Sequence, residues 1–463
     1  MRRLVVLAVL LAAAIAAAAV ADHPGRVDIA WQGWEIDTSV GVLVAVLAVA
    51  AALLWSLFAL IVGIARLPDR FRRNRRERRR LAGERAVTRG LAALAAGDAA
   101  AAQRHAGRAE ALLPASPLTL LVAAQSAQLA GDEAAAHARY LALLDSRDGE
   151  FLGLRGLIGQ ALKSGDSDDA LRLARRAQGV RPNALWVFET LFTLEIEAAR
   201  WEAAREALEA AVRRHLVPEA RAAHHRAVIL YQLSLAAEAA GDTRRALSLA
   251  ANAASLAPDL APLAARQARL LIAAERRRAA RRVIERAWRV APHPELARLW
   301  GELGGATPAL ELVGWFERLA AQNPDAPESH IALAEAALAA QLWGEARRHL
   351  GVAIAAAAPA APSRRLCLMM ARLEDAEHPQ SATARDWLDR ALAAPADAAF
   401  VCAACHSETR EWQAVCPTCR GFATLGWRTP SAAPETAPPA ERLAAPSLVA
   451  LPGRLASAGQ PDA

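Results

Sequence analysis

Two stretches of the chain carry no charge. Residues 4–21 read LVVLAVLLAAAIAAAAVA and residues 40–65 read VGVLVAVLAVAAALLWSLFALIVGIA. At about 1.5 Å per helical residue the first reaches about 27 Å, enough for the hydrocarbon core, and the second spans it with room to tilt. The pattern predicts two membrane helices within residues 1–65, joined by a polar loop at 22–39. From residue 81 onward the apolar positions recur with a helical period, alanine and leucine dominate, and the alternation of a strand is absent up to about residue 396.

That helical region repeats. Gly97-Asp98, Gly131-Asp132 and Gly165-Asp166 stand 34 residues apart, and each pair precedes an alanine-rich amphipathic stretch. A helix–turn–helix unit of about 34 residues is the tetratricopeptide period. Glycine at the turn supplies a positive φ, and the aspartate after it caps the second helix. Ala199-Arg200-Trp201 takes the turn position of a fourth unit, Gly241-Asp242 follows a longer helix, and Leu342-Trp343-Gly344 marks a late one. Residues 81–396 are therefore expected to hold eight or nine helical hairpins, degenerate between 259 and 322. The predicted fold is all-α: an N-terminal transmembrane hairpin, then a tetratricopeptide-like α-solenoid. Such arrays present an extended concave face to protein partners.

Charge changes the picture of the anchor. The net charge of +7 equals that of residues 66–85 alone, where ten arginines face Asp69, Glu77 and Glu84. A basic run directly after an apolar segment marks the cytoplasmic side. Arg2 and Arg3 flank the first segment, and the loop holds only Arg26. Both ends are expected on the cytoplasmic side of the membrane, with the loop outside. The arginines of the juxtamembrane segment 66–80, from Arg70 to Arg80, are expected to meet anionic lipid headgroups. The remainder sums to about zero, so no nucleic-acid partner is expected. Trp31 and Trp34 in the loop suit interfacial anchors. A second reading of the first segment stays open: Ala19-Val20-Ala21 before Asp22 has the form of a signal-peptide cleavage site.

The strongest chemical signal lies near the end. Cys402-Ala-Ala-Cys405 and Cys416-Pro-Thr-Cys419 are two CxxC knuckles separated by ten residues. Four thiolates so spaced converge tetrahedrally on one metal: zinc first, iron as the alternative. The module, residues 398–429, is too short to bury a core alone, so metal is expected to drive its folding, with Phe400, Trp412, Phe422 and Trp427 as its apolar cluster. Two alternatives stay open. Cys402 to His406 reads CAACH, the c-type haem attachment pattern, and a CxxC pair can be a redox dithiol. Haem binding is thus not excluded. Cys367, in RRLCLMMARL, reads as a small buried hydrophobe. His224-His225 on a helix point about 100° apart and do not make a metal pair. Residues 430–463, rich in Pro, Ala and Ser, read as a disordered tail. No phosphate-binding glycine loop, HExxH or GxSxG motif is present, so no catalytic residues are expected.

One resemblance adds to this. The stretch Pro24-Gly25-Arg26-Val27-Asp28-Ile29-Ala30-Trp31-Gln32-Gly33-Trp34-Glu35-Ile36-Asp37-Thr38-Ser39, between apolar segments and ahead of an arginine run, resembles the HemY N-terminal region. The resemblance implies an inner-membrane repeat scaffold associated with late haem (tetrapyrrole) biosynthesis, with haem-biosynthetic enzymes or other membrane-associated proteins as partners and no enzymatic activity of its own. The C-terminal ribbon is similar to that of lipopolysaccharide assembly protein B. That likeness implies an alternative role as an adaptor regulating lipopolysaccharide synthesis. A haem- or metal-binding carrier is a third possibility.

Overall fold

The computed structural model describes residues 25–31, 34–113, 116–305, 308–357 and 361–430. The expected first membrane helix, its cleavage motif and the tail from residue 431 lie outside the described residues. The chain divides into two compact units, 1–130 and 131–463.

In the first unit the expected polar loop is an antiparallel hairpin. Strands β1 (Arg26–Trp31) and β2 (Trp34–Ser39) pair from Arg26 with Ser39 to Trp31 with Trp34. The sequence explains it: Val27, Ile29 and Trp31, then Trp34, Ile36 and Thr38, alternate with polar residues about a two-residue connection. Ser39 then caps helix α1 (Val40–Ala96), its hydroxyl accepting from Val42 N–H. One continuous helix of 57 residues covers what the sequence pattern divides into membrane segment, basic segment and first repeat helix. Its length of about 85 Å is nearly three times the hydrocarbon thickness. It also continues past Pro68, at the expense of one helical hydrogen bond. Val40–Phe58 is long and apolar enough to cross a membrane, with mean hydropathy 2.6 and none of it buried in the fold. Beyond it, Ala86, Val87, Ala93 and Leu94 of α1 pack with Ala102, Ala106 and Ala109 of α2 (Ala99–Leu112) and Val122 and Ala123 of α3 (Pro117–Leu129).

The second unit begins with α4 (Glu133–Leu143). Paired helices follow: α5 (Glu150–Ser164) with α6 (Ser167–Val180), α7 (Leu185–Glu197) with α8 (Trp201–Arg213), and α9 (Glu219–Ala239) with α10 (Thr243–Leu256). The series continues as α11 (Ala261–Ala273) with α12 (Arg277–Val290), α13 (Pro294–Gly304) with α14 (Ala309–Ala320), α15 (Pro327–Ala339) with α16 (Trp343–Ala356), and α17 (Arg364–Glu377) with α18 (Ala382–Ala393). The turn chemistry is that of the sequence motif. Gly97, Gly131, Gly165 and Gly241 have φ between 73° and 81°. The carboxylates of Asp98, Asp132, Asp166 and Asp242 accept from the N–H three residues on, each at 2.9 Å. Where glycine is missing the same geometry persists at Ala199, Glu275 and Gln341, with φ of 54°, 60° and 59°.

Packing is close wherever helices need it. The ring of Tyr140, fully buried in α4, lies directly against Gly156 of α5, while Gly153 sits under the Tyr140 backbone carbonyl and the Leu143 side chain. In the degenerate stretch, tryptophans join the small residues of the core. Trp288 is fully buried and donates to Ser329 Oγ at 2.8 Å, while Trp300 and Trp315 stack and donate to each other's backbone carbonyls. Cys367 is buried at 1% exposure, as a small core residue would be.

A candidate four-cysteine metal centre

Three short strands frame the C-terminal module. β3 (Ala399–Cys402) lies between β4 (Glu408–Thr409) and β5 (Leu425–Arg428), antiparallel to both. The two CxxC segments are built alike. In the first, Cys402 N–H donates to Ser407 O at 3.0 Å and His406 N–H to Cys402 O at 3.0 Å. In the second, Cys416 N–H donates to Gly421 O and Arg420 N–H to Cys416 O, both at 2.9 Å. His406 and Arg420, each following the second cysteine of its knuckle, have φ near 60°. This turn points both sulfurs of a knuckle to one side.

The four sulfurs lie within 4.8 Å of one another. Cys402 Sγ stands 3.6 Å from Cys419 Sγ, and Cys405 Sγ 3.7 Å from Cys416 Sγ. A tetrahedron with metal–sulfur bonds of about 2.3 Å has edges of about 3.8 Å, so the set can hold one ion. Hydroxyls that the sequence did not single out complete the surroundings. Ser407 Oγ lies 3.1 Å from Cys405 Sγ and 3.3 Å from Cys416 Sγ, and Thr424 Oγ1 lies 3.2 Å from Cys402 Sγ. Burial pushes the Cys416 thiol up. The N–H groups of Cys419 and Thr418 and the Ser407 hydroxyl outweigh it and bring the thiol down to about 6. Burial and the neighbouring cysteines push Cys419 up to about 12. An easily ionised thiol among crowded sulfurs is the electrostatic situation that a soft cation relieves. His406, the histidine of the CAACH pattern, is exposed, and each sulfur of that pattern faces a sulfur of the other knuckle.

Inside the module Phe400 and Leu425 pack with Cys402 and Cys416, with Trp412 against them, and Trp427 meets Phe400 at 4.9 Å, but this small core is shared with the repeats. Phe422 sits edge-on to Phe192 of α7 at 5.6 Å and to His225 of α9 at 5.5 Å, with Trp201 of α8 at 6.3 Å. Trp412 meets Tyr231 of α9 at 4.9 Å, edge to face, and Val415 joins the same apolar cluster. Phe400 and Trp427 enclose His293, at 5.5 and 4.4 Å, ahead of α13. Before β3, Asp397 accepts from Arg365 N–H at 2.7 Å and Pro395 O from Arg364 N–H at 3.2 Å, tying the module to α17. Of the expected apolar cluster, Phe400, Trp412 and Trp427 do meet within the module, while Phe422 turns outward altogether. All four also contact the repeats, because a ribbon this small has no second layer of its own. His225 lies in this contact, while the ring of His224 is turned 56° from it and makes no shared site. His293 Nδ1 accepts from Glu295 N–H at 3.1 Å, capping α13, and its buried Nε2 has no partner. Burial drives both His225 and His293 down to about 4.

Fold and site together define a helical-repeat protein of the tetratricopeptide type, with, among the described residues, one apolar helix long enough to cross a membrane, and a C-terminal four-cysteine cluster. Residues 25–131 match the family described as HemY protein N-terminus. Over 433 residues the chain is 30% identical to the "Probable magnetosome protein Mms48" of Magnetospirillum gryphiswaldense, covering 90% of this chain and 92% of that protein. The chain belongs to this HemY-type family. Among solved structures it is similar to a chain of the Naa15/Naa10 complex bound to HypK-THB, with TM-score 0.36 and 14% identity over 67% of this chain and 58% of that one. It is also similar to the TPR2AB domain of yeast Sti1, with TM-score 0.27 and 14% identity over 67% of this chain and 97% of that one.

Proposed function

We propose that the protein is a non-enzymatic scaffold that gathers partner proteins at the cytoplasmic face of an inner membrane. The observation that carries this reading is one helix, α1, running without a break from an apolar span into a repeat array. Family membership supports late haem biosynthesis as the setting and haem-biosynthetic enzymes as the partners. In this reading the span crosses from outside to inside, residues 4–21 form a second crossing, and the arginines from Arg70 to Arg80 rest on anionic headgroups. Affinity purification from native membranes and porphyrin levels in a deletion strain test it. Recovery of tetrapyrrole enzymes and altered porphyrins are expected; neither partner nor porphyrin change sinks it. A second reading rests on the full-length relative, whose name assigns it to a magnetosome: a scaffold serving a specialised membrane compartment. Partners of that compartment with unchanged porphyrins would favour it.

We further infer that Cys402, Cys405, Cys416 and Cys419 bind one structural zinc ion. The support is the separation of the sulfurs and the matched turns that aim them inward. Metal analysis of the purified chain should give about one zinc per chain and no haem absorbance. Cys416→Ser should abolish the metal.

A further inference from the structure

In a helical-repeat array each unit touches only its neighbours. The ribbon breaks that rule. Its residues lie against α7, α8 and α9 at one end of their reach and against the start of α13 and α17 at the other. Phe192 and Arg365, both held by it, are far apart in the chain. The contact residues are also fixed by the knuckle. Val415 and Phe422 pair across the strand bridge flanking Cys416, and Ala423 N–H donates to Ala414 O at 2.7 Å. Phe422 follows Cys419 by three residues, so its ring is placed by the same turn that places the sulfur.

We propose that the four-cysteine module is a metal-dependent clasp on the array. With metal bound, the ribbon covers an aromatic face made by Phe192, Trp201, His225 and Tyr231 and ties it to the helices beyond. Without metal the second knuckle loses its turn, Phe422, Val415 and Trp412 leave together, and that face is uncovered. The reason is physical. A ribbon of this size has too little core to keep its fold alone, so its folding free energy comes from the ion and from this contact. Each stabilises the other, and removing either weakens the second by linkage. This inference rests on the metal reading above.

Hydrogen exchange on the full chain in detergent micelles tests it, together with measured metal content. On chelation, exchange of residues 188–196 and 222–233 should quicken about tenfold or more, while residues 331–337 and 346–353 of α15 and α16 serve as an unmoved reference. Phe422→Ala should give the same local loss with the metal still bound, though more easily chelated. A metal-free chain with unchanged protection in α7 and α9 overturns the clasp and leaves the metal site intact. Unchanged protection in Phe422→Ala overturns it too. A wild-type chain that takes up no metal under any loading condition overturns the metal reading itself, and the clasp with it.

Discussion

The same substitution three residues apart in one helix should have opposite signs. A Cβ added at Gly156 would lie 2.2, 2.3 and 2.5 Å from ring carbons of Tyr140. Carbon atoms in good contact sit about 3.5–4.0 Å apart, so the overlap exceeds about 1 Å. Tyr140 is fully buried and cannot swing aside. Gly156→Ala should therefore cost about 3 kcal/mol, the upper end of overpacking penalties. A Cβ at Gly159 meets nothing within 4 Å. There the gain in helix propensity is free to act, and Gly159→Ala should stabilise by about 0.5–1 kcal/mol. Because long arrays need not unfold in one step, the measurement is local: hydrogen exchange of α4 and α5 amides, alongside urea unfolding by circular dichroism. The cause can be isolated with a double mutant. Tyr140→Ala alone should cost about 3–5 kcal/mol. In that background Gly156→Ala should be neutral or mildly stabilising, giving a coupling of about 3 kcal/mol between the two sites. If Gly156→Ala stabilises wild type as Gly159→Ala does, the close packing of α4 on α5 is wrong.

Two further outcomes follow from the turns and the buried histidines. Glu275→Gly and Gln341→Gly should each raise the denaturation midpoint, gaining about 0.5–1 kcal/mol, because both residues hold a left-handed φ that penalises a Cβ; Gly241→Ala, with open space around it, should lose about 1 kcal/mol through the backbone alone. His293 is neutral when folded, its pKa lowered to about 4 by burial with Arg365 adding repulsion, so its contribution is complete above about pH 6.5 and is lost as pH falls towards 4. At pH 5 that forfeits about 2 kcal/mol. His293→Asn keeps a cap acceptor without titrating, so unfolding at pH 7 and pH 5 should show a shallower pH dependence in the variant; equal slopes would refute the assignment.

The repeats were legible because their signal is local. A glycine needing positive φ and an aspartate capping the next helix are demands of single turns, and from Gly97 to Gly165 they recur at 34 residues. The turn at Glu275-Arg276 lacks the glycine that marks the others, yet it stands 34 residues after Gly241-Asp242. Period alone would have found it, because helix length, more than turn identity, sets the spacing. The hairpin at 26–39 resembles a polar loop in composition because acidic residues interrupt its apolar positions, although these alternate about a two-residue connection. The cysteine cluster was legible for the same reason as the turns, since CxxC is a local geometry.

What the chain order could not show is where the ribbon rests. Phe192, His225, Tyr231 and His293 read in sequence as ordinary residues of amphipathic helices, and Phe422 and Trp412 as the core of a small module. Nothing within any one segment distinguishes an aromatic residue that packs on its own layer from one that packs on a layer about 200 residues away. The advance signal is a deficit: a ribbon of about 30 residues with four large apolar side chains and one layer of strands cannot bury all of their faces against itself. That deficit requires a second surface. In this chain the repeats supply it, with the half-buried His225 and the buried His293 in the contact, so the cysteine site and the scaffold's aromatic face form one packed unit.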